Sequence, residues 1–276
     1  MNYWWTSDYH FSHANIIKYC DRPFESVEEM NEAIIKRHNE RVKPEDTVFF
    51  LGDNAIVYRL GSGYIPQRVS TYAIEEKTAE EIGLGNANEI IFWTYTFGGH
   101  EYVGVRMPTQ GTFVYDVSTD RWHERRTYGE DIYAPTYFER AFDRVLVAKH
   151  NSGKIFYLDP DIMTDDGGIV ERIATSNIPV EQRTPCANMR IHVVEGLGTQ
   201  TGQGANPLVQ LDWSDDGEGR VFKTERWLSV GRVGNYGGRV IARACGQMKP
   251  PGRIVRVRFT DPSRFVLRKL TINAVD

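Results

Sequence analysis

The chain has 276 residues, 41% of them hydrophobic and 25% charged, with a formal net charge of −4. That length buries a substantial core in one large domain or two small ones, and the negative balance argues against an extended basic footprint for nucleic acid. No apolar run reaches the roughly 18 residues of a spanning helix, and no basic or apolar leader region opens the chain, so neither a membrane span nor a signal peptide is expected. The three cysteines, Cys20, Cys186 and Cys245, form no C-x-x-C pair and no even framework, which reads as reduced thiols made in a cytoplasm.

The first 53 residues read as strand, helix, strand. Tyr3 to Thr6 is a short aromatic run. Ser26 followed by Glu29 is a capping box, in which the hydroxyl accepts the N–H three residues on and the carboxylate reaches back. Met30, Ile34, Ile35 and His38 then recur at helical spacing, predicting a helix from about Val27 to Arg41. Thr47 to Leu51 is the continuous apolar run of a buried parallel strand. The grammar is that of a βαβ unit.

Beyond Asp53 the pattern changes. A second helix is expected over Thr71–Glu81. The rest is short strand-like runs separated by Gly, Asp and Asn turns. Four runs, at 90–95, 101–107, 111–117 and 120–126, predict one antiparallel meander the size of a propeller blade. A second set lies at 144–150, 154–159 and 168–176. A third covers 188–194, 207–213, 226–231, 238–244, 252–259 and 265–272. Within 252–259, Ile254 and Val255 aside, Val257 and Phe259 share a face opposite Arg256 and Arg258. The local clusters Arg121, Arg125, Arg126 and Arg253, Arg256, Arg258 read as solvated strand faces. The fold class expected is mainly β: a partial β-propeller of about three blades behind a small βαβ segment. Closed propellers use about four to eight blades, so a second chain is expected to complete it.

Asp8 and His10 stand two apart on an extended segment and point the same way, so both are candidate metal ligands. Asp53, at the carboxyl end of the next parallel strand, is a third. Two ions held there would activate water and stabilise a leaving oxygen. The residues SDYHFSHANIIKYCDRPF, VEEMNEAII and VKPEDTVFFLGD resemble the N-terminal fragment of calcineurin-like metallophosphoesterases. The resemblance implies that Asp8, His10 and Asp53 are ligands, to manganese, iron or zinc, of a phosphoesterase. The family pattern continues with a Gly-Asn-His-Asp segment and a Gly-His-x-His, which this chain lacks. His100, His123, His150 and His192 have no ligand spacing and read as strand residues. Three ligands cannot hold two metals in fixed geometry, so the sequence favours a truncated, non-catalytic segment over residues 1–53, with no cofactor, and a second domain over 54–276.

From Ile56 onward a different resemblance appears. IPQRVSTYAIEEKTAEE (65–81), GTFVYDVSTDRWHERRT (111–127), the stretch from ANPLVQLDWSDDGEGR to GGRV (205–240) and GRIVRVRFTDPSRFVL (252–267) resemble the packaged-DNA stabilisation, or tail accessory (nozzle), proteins of short-tailed bacteriophages. The residues themselves speak for structure. Asp116 and Asp120 are placed to accept turn amides, Trp122 to cover the blade's apolar face, and Trp213-Ser214-Asp215-Asp216-Gly217 to form a hairpin like an Asp-box. The resemblance implies a virion tail protein assembled in the host cytoplasm, in a ring of identical subunits, commonly six. It also implies portal-adaptor and tail-tip or tailspike neighbours, and a channel that retains packaged double-stranded DNA until ejection.

Overall fold

The computed structural model describes residues 2–7, 9–11, 13–43, 46–51, 56–60, 66–150, 152–222 and 224–273. The chain divides into two compact units, Met1–Leu158 and Asp159–Asp276.

The first unit opens with β1 (Tyr3–Ser7), α1 (Ala14–Tyr19), α2 (Val27–Arg41) and β2 (Thr47–Leu51). β1 and β2 pair in parallel, Tyr3 against Thr47 through Ser7 against Leu51, so the βαβ expectation holds. Ser26 caps α2 by accepting the Glu29 N–H at 3.1 Å, but the Glu29 carboxylate reaches back to the Glu25 N–H (2.9 Å), one residue beyond a capping box. Met30 is fully buried beneath the helix, whereas Ile35 faces solvent. β3 (Val57–Leu60) and β4 (Pro66–Arg68) extend the same sheet in the order β1-β2-β3-β4. One sheet thus contains strands from both sides of the expected boundary between 1–53 and 54–276.

α3 (Tyr72–Gly83) leads into β5 (Ile91–Phe97), β6 (His100–Met107), β7 (Gly111–Asp116) and β8 (Arg121–Arg125). These four form the expected antiparallel meander in chain order. Both of its faces are covered. Val103, Val105, Met107, Phe113 and Tyr115 pack with Phe49, Val57, Val69 and Ile74, while Trp93, Tyr95 and Val114 pack the other way against Val145 and Val147. Trp5 stacks on Phe49 and Phe92, with centroids 5.0 and 4.2 Å apart, and so fastens the βαβ sheet onto the meander. Each such side chain contributes about 1.5–3 kcal/mol on burial. Two parallel strands and one helix could not bury this much alone.

β9 (Pro135–Ala141), β10 (Arg144–Lys149) and β11 (Ile155–Tyr157) complete the first unit as a three-stranded meander. β9 is not evident in the sequence, because its proline start and the polar residues about it mask the alternation.

The second unit contains β12 (Arg172–Pro179), β13 (Thr184–Pro185), β14 (Asn188–Val193), β15 (Leu208–Ser214), β16 (Thr224–Ser229), β17 (Val240–Arg243), β18 (Gln247–Met248), β19 (Gly252–Phe259) and β20 (Leu267–Ile272). The strands lie close to where the sequence places them, but they do not form a propeller blade. They pair out of chain order, as β12-β19-β15-β16 and β17-β14-β20, with a short β13-β18 ribbon. Val209, Leu211, Trp213, Val255, Val257 and Phe259 of one sheet meet Met189, Ile191, Val240 and Ala242 of the other in one core. This is a β-sandwich where propeller blades were expected, and no propeller is seen among the described residues. Alternation fixes which face a strand buries and is silent on which strand it joins. β12, expected within the second set of strands, belongs here instead.

Candidate functional site

Of the three expected metal ligands, Asp8 and Asp53 lie outside the described residues. His10 is half-buried, at φ 50°. Its carbonyl accepts the His13 N–H at 3.2 Å, and the two imidazole centroids are 5.6 Å apart. Among the described residues no three His, Cys, Asp or Glu side chains gather into a metal site. By themselves they make no cage for manganese, iron or zinc. Beside this segment an open groove of about 260 Å³ is lined by Trp4, Tyr9, Arg22, Arg37 and His38 among others. Tyr9 and His38 are joined there through Oη and Nδ1 at 2.9 Å.

Elsewhere the polar side chains are spent on holding turns. The Asp46 carboxylate accepts the Asn2 N–H (2.6 Å), the Trp4 Nε1–H (3.0 Å) and the Lys43 N–H (3.2 Å), tying the start of β1 to the turn before β2. The Trp4 bond contributes most to holding its pKa down to about 2. Buried Glu81, at the end of α3, accepts from Asn86 Nδ2 (2.6 Å), the Thr109 N–H (3.0 Å) and hydroxyl (2.9 Å), and the Gln110 N–H (3.0 Å). Burial alone would raise this carboxyl; the donors from Asn86 and Thr109 and the Gln110 amide bring it below its ordinary range.

The turn between β7 and β8 behaves as its sequence suggests. Asp116 accepts the Ser118 N–H (2.9 Å) and the Thr119 hydroxyl (2.8 Å), and pairs with His100 Nδ1 at 2.8 Å. Asp120 accepts the Tyr115 hydroxyl instead of an amide. Trp122 donates Nε1–H to the Val69 carbonyl at 2.7 Å and packs on Tyr115, covering the meander as expected.

In the sandwich, Asp216 alone gathers four turn amides: Glu218 (3.0 Å) and Gly219 (2.6 Å) on one oxygen, Arg220 (3.0 Å) and Val221 (2.9 Å) on the other. The Ser214 side chain first, and then these amides, hold its carboxyl well below the usual range. Its neighbour Asp215 grips Arg253 with both oxygens, at 2.7 and 3.0 Å. Arg253 is 1% exposed, donates also to the carbonyls of Cys245 (2.7 Å) and Gln247 (3.2 Å), and lies 5.0 Å from the Trp213 ring.

Arg121 and Arg126 are exposed, as the sequence suggests, but Arg125, Arg253, Arg256 and Arg258 are not solvated. Arg256 forks onto buried Asp212 (3.0 and 2.6 Å) and stacks on Phe222, and Arg258 pairs with Glu171. Arg125 sits over the rings of Tyr95, Tyr102 and Tyr133, within 5.1–5.7 Å of each. Chemically, these arrangements fix backbone and strand register.

Residues 183–275 match the family model described as Bacteriophage P22 Gp10, beta-sandwich. That segment spans β13 to β20 and leaves residues 1–53 outside it. β12, which closes one edge of the sandwich, also lies outside the matched segment. The chain is also similar, at 64% identity over 47 residues, to the uncharacterized protein MJ1445 of Methanocaldococcus jannaschii. That match takes in 17% of this chain and spans only 27% of the archaeal protein.

Proposed function

We propose that this chain is a structural protein of a short-tailed phage virion, and that its work is contact, not catalysis. The observation that carries the reading is the agreement of a family match with the fold: the segment similar to a phage β-sandwich builds a β-sandwich, pinned by Arg253, Asp215 and Asp216. In the proposed setting, identical subunits, six by resemblance, form a tail nozzle ring between portal-adaptor and tail-tip or tailspike proteins. The ring encloses a channel that retains packaged duplex until ejection. The first unit's stacked meanders take the place of propeller blades, which neighbouring copies or a second chain complete. Broad subunit surfaces, in place of a pocket, supply the affinity in such a ring.

Particles made without this chain test the proposal. They are expected to package DNA and then lose it, and purified wild-type particles are expected to carry the chain at a fixed copy number. Intact, DNA-retaining infectious particles lacking it would contradict the proposal.

A further inference from the structure

The second unit distributes its cations unevenly. On β14, Met189 and Ile191 enter the core, which turns Arg190 and His192 to the outer face of the sheet β17-β14-β20. On β17, Val240 and Ala242 point inward, and exposed Arg243 stands across from Asn188 on the outer side. On β20, Leu267, Leu270 and Ile272 pack on the core, and a register irregularity at His192/Val193 leaves Arg268 and Lys269 both exposed. A pocket of about 290 Å³ is lined by Arg190, His192, Arg268 and Lys269 among others, with Arg243 outside it. Among its described lining residues the one acid is Glu195, already engaged by the N–H groups of Gly237 (2.5 Å) and Gly238 (2.9 Å). His192 registers the local field: burial first, then Arg190 and Lys269, hold its imidazole below the usual histidine range.

We propose that this face binds the phosphate backbone of double-stranded DNA without reading its sequence. Arg and Lys with the hydroxyl of Thr271, which meets His192 Nε2 at 3.0 Å, are the donors that hold phosphate oxygens. Cross-strand neighbours in a sheet stand about 5 Å apart and i, i+2 neighbours about 7 Å, so several cations reach one stretch of backbone. Among the pocket's described lining residues there is no Trp, Tyr or Phe, so these offer neither the stacking platform of a single-strand site nor the aromatic anchor of a protein interface. The chain's negative total does not oppose this, since charges beyond about 8–10 Å are screened at physiological salt. The inference deepens the tail reading, in which duplex passes the subunit, but its test needs no virion.

The test is fluorescence anisotropy of the purified full chain on a mixed-sequence duplex of about 30 base pairs, over a salt series. Binding at low salt is expected to weaken with a log–log slope of about −3 to −4, from about 0.9 per phosphate for four cations. The double variant Arg268→Glu/Lys269→Glu is expected to weaken binding at least about tenfold and to flatten the slope by about 2. Lys36→Glu with Arg140→Glu, in the first unit, leaves both unchanged. Should the double reversal unfold the sandwich, Arg243→Ala and Lys269→Ala read the same slope singly. Absence of binding at low salt, or a slope indifferent to these variants, overturns the inference. Self-association abolished by the same variants would also overturn it, assigning the face to a second copy. Either failure leaves the particle experiment untouched, so the two readings fall separately.

Discussion

Trp93 and Gly104 face each other across β5 and β6, and the ring lies where a side chain on residue 104 would be. A Cβ there would stand 2.1 Å from Cε2 and 2.3 Å from Cζ2 of Trp93. Gly104→Ala is therefore expected to lower stability by about 3 kcal/mol in urea unfolding, with partial recovery when Trp93 is shortened to Leu. Arg253→Met removes the buried partner of a pair whose Asp215 is 31% exposed, and strands the Cys245 and Gln247 carbonyls; a loss of about 3 kcal/mol is expected, read the same way. Asp46 makes a pH prediction. Its folded pKa, about 2, is depressed, so its contribution is present above the ordinary carboxylate value and is lost as pH falls through the folded one. Asp46→Asn is expected to flatten the stability profile between about pH 4 and about pH 2 while leaving the slope near neutrality unchanged, as acid titration followed by circular dichroism would show. Arg253 also shows how much the sequence holds at this scale. It reads in the sequence as part of a solvated cluster, yet it is buried; what reverses the reading is its pairing with Asp215, which lies far along the chain.

At the scale of elements, local chemistry was most informative where it was strongest. The Ser26 cap and the turn before Thr47 delimit α2 and β2 where the structure has them. The four strands of the first meander are joined by tight Gly, Asp and Thr turns, and each lies within a residue or two of its reading. β9 carries Pro135 and the adjacent charges of Glu139 and Arg140, and its strand character comes from pairing with β10. The sandwich strands were legible one by one while their partners were not, since long loops join strands that belong to different sheets. The junction of α3 with the β6–β7 turn rests on Glu81, another long-range contact invisible to periodicity. Glu81→Ala leaves the two amides and two side-chain donors without their acceptor, and is expected to cost about 3 kcal/mol and to lower the melting temperature of the first unit in calorimetry.

For the whole molecule, two compact units divide the polar residues into different uses. In the first, stacked sheets absorb the βαβ segment, and Trp5 shows how that segment is held. The candidate ligands Asp8 and Asp53 could be read from the sequence but lie outside the described residues, so His10 is the described member of that set. In the second, a sandwich similar to a phage protein domain commits Asp212 and Asp215 to arginines and Asp216 to a turn, and carries cations on one outer sheet face. Contact surfaces of this kind make sense in an assembly. A density map of the purified phage tail is the most direct measurement of that claim. A closed ring of copies of this chain around the duplex is expected. Tails in which no density fits this chain, joined to manganese-dependent phosphodiester hydrolysis by the free protein that vanishes in Asp8→Ala, would contradict it.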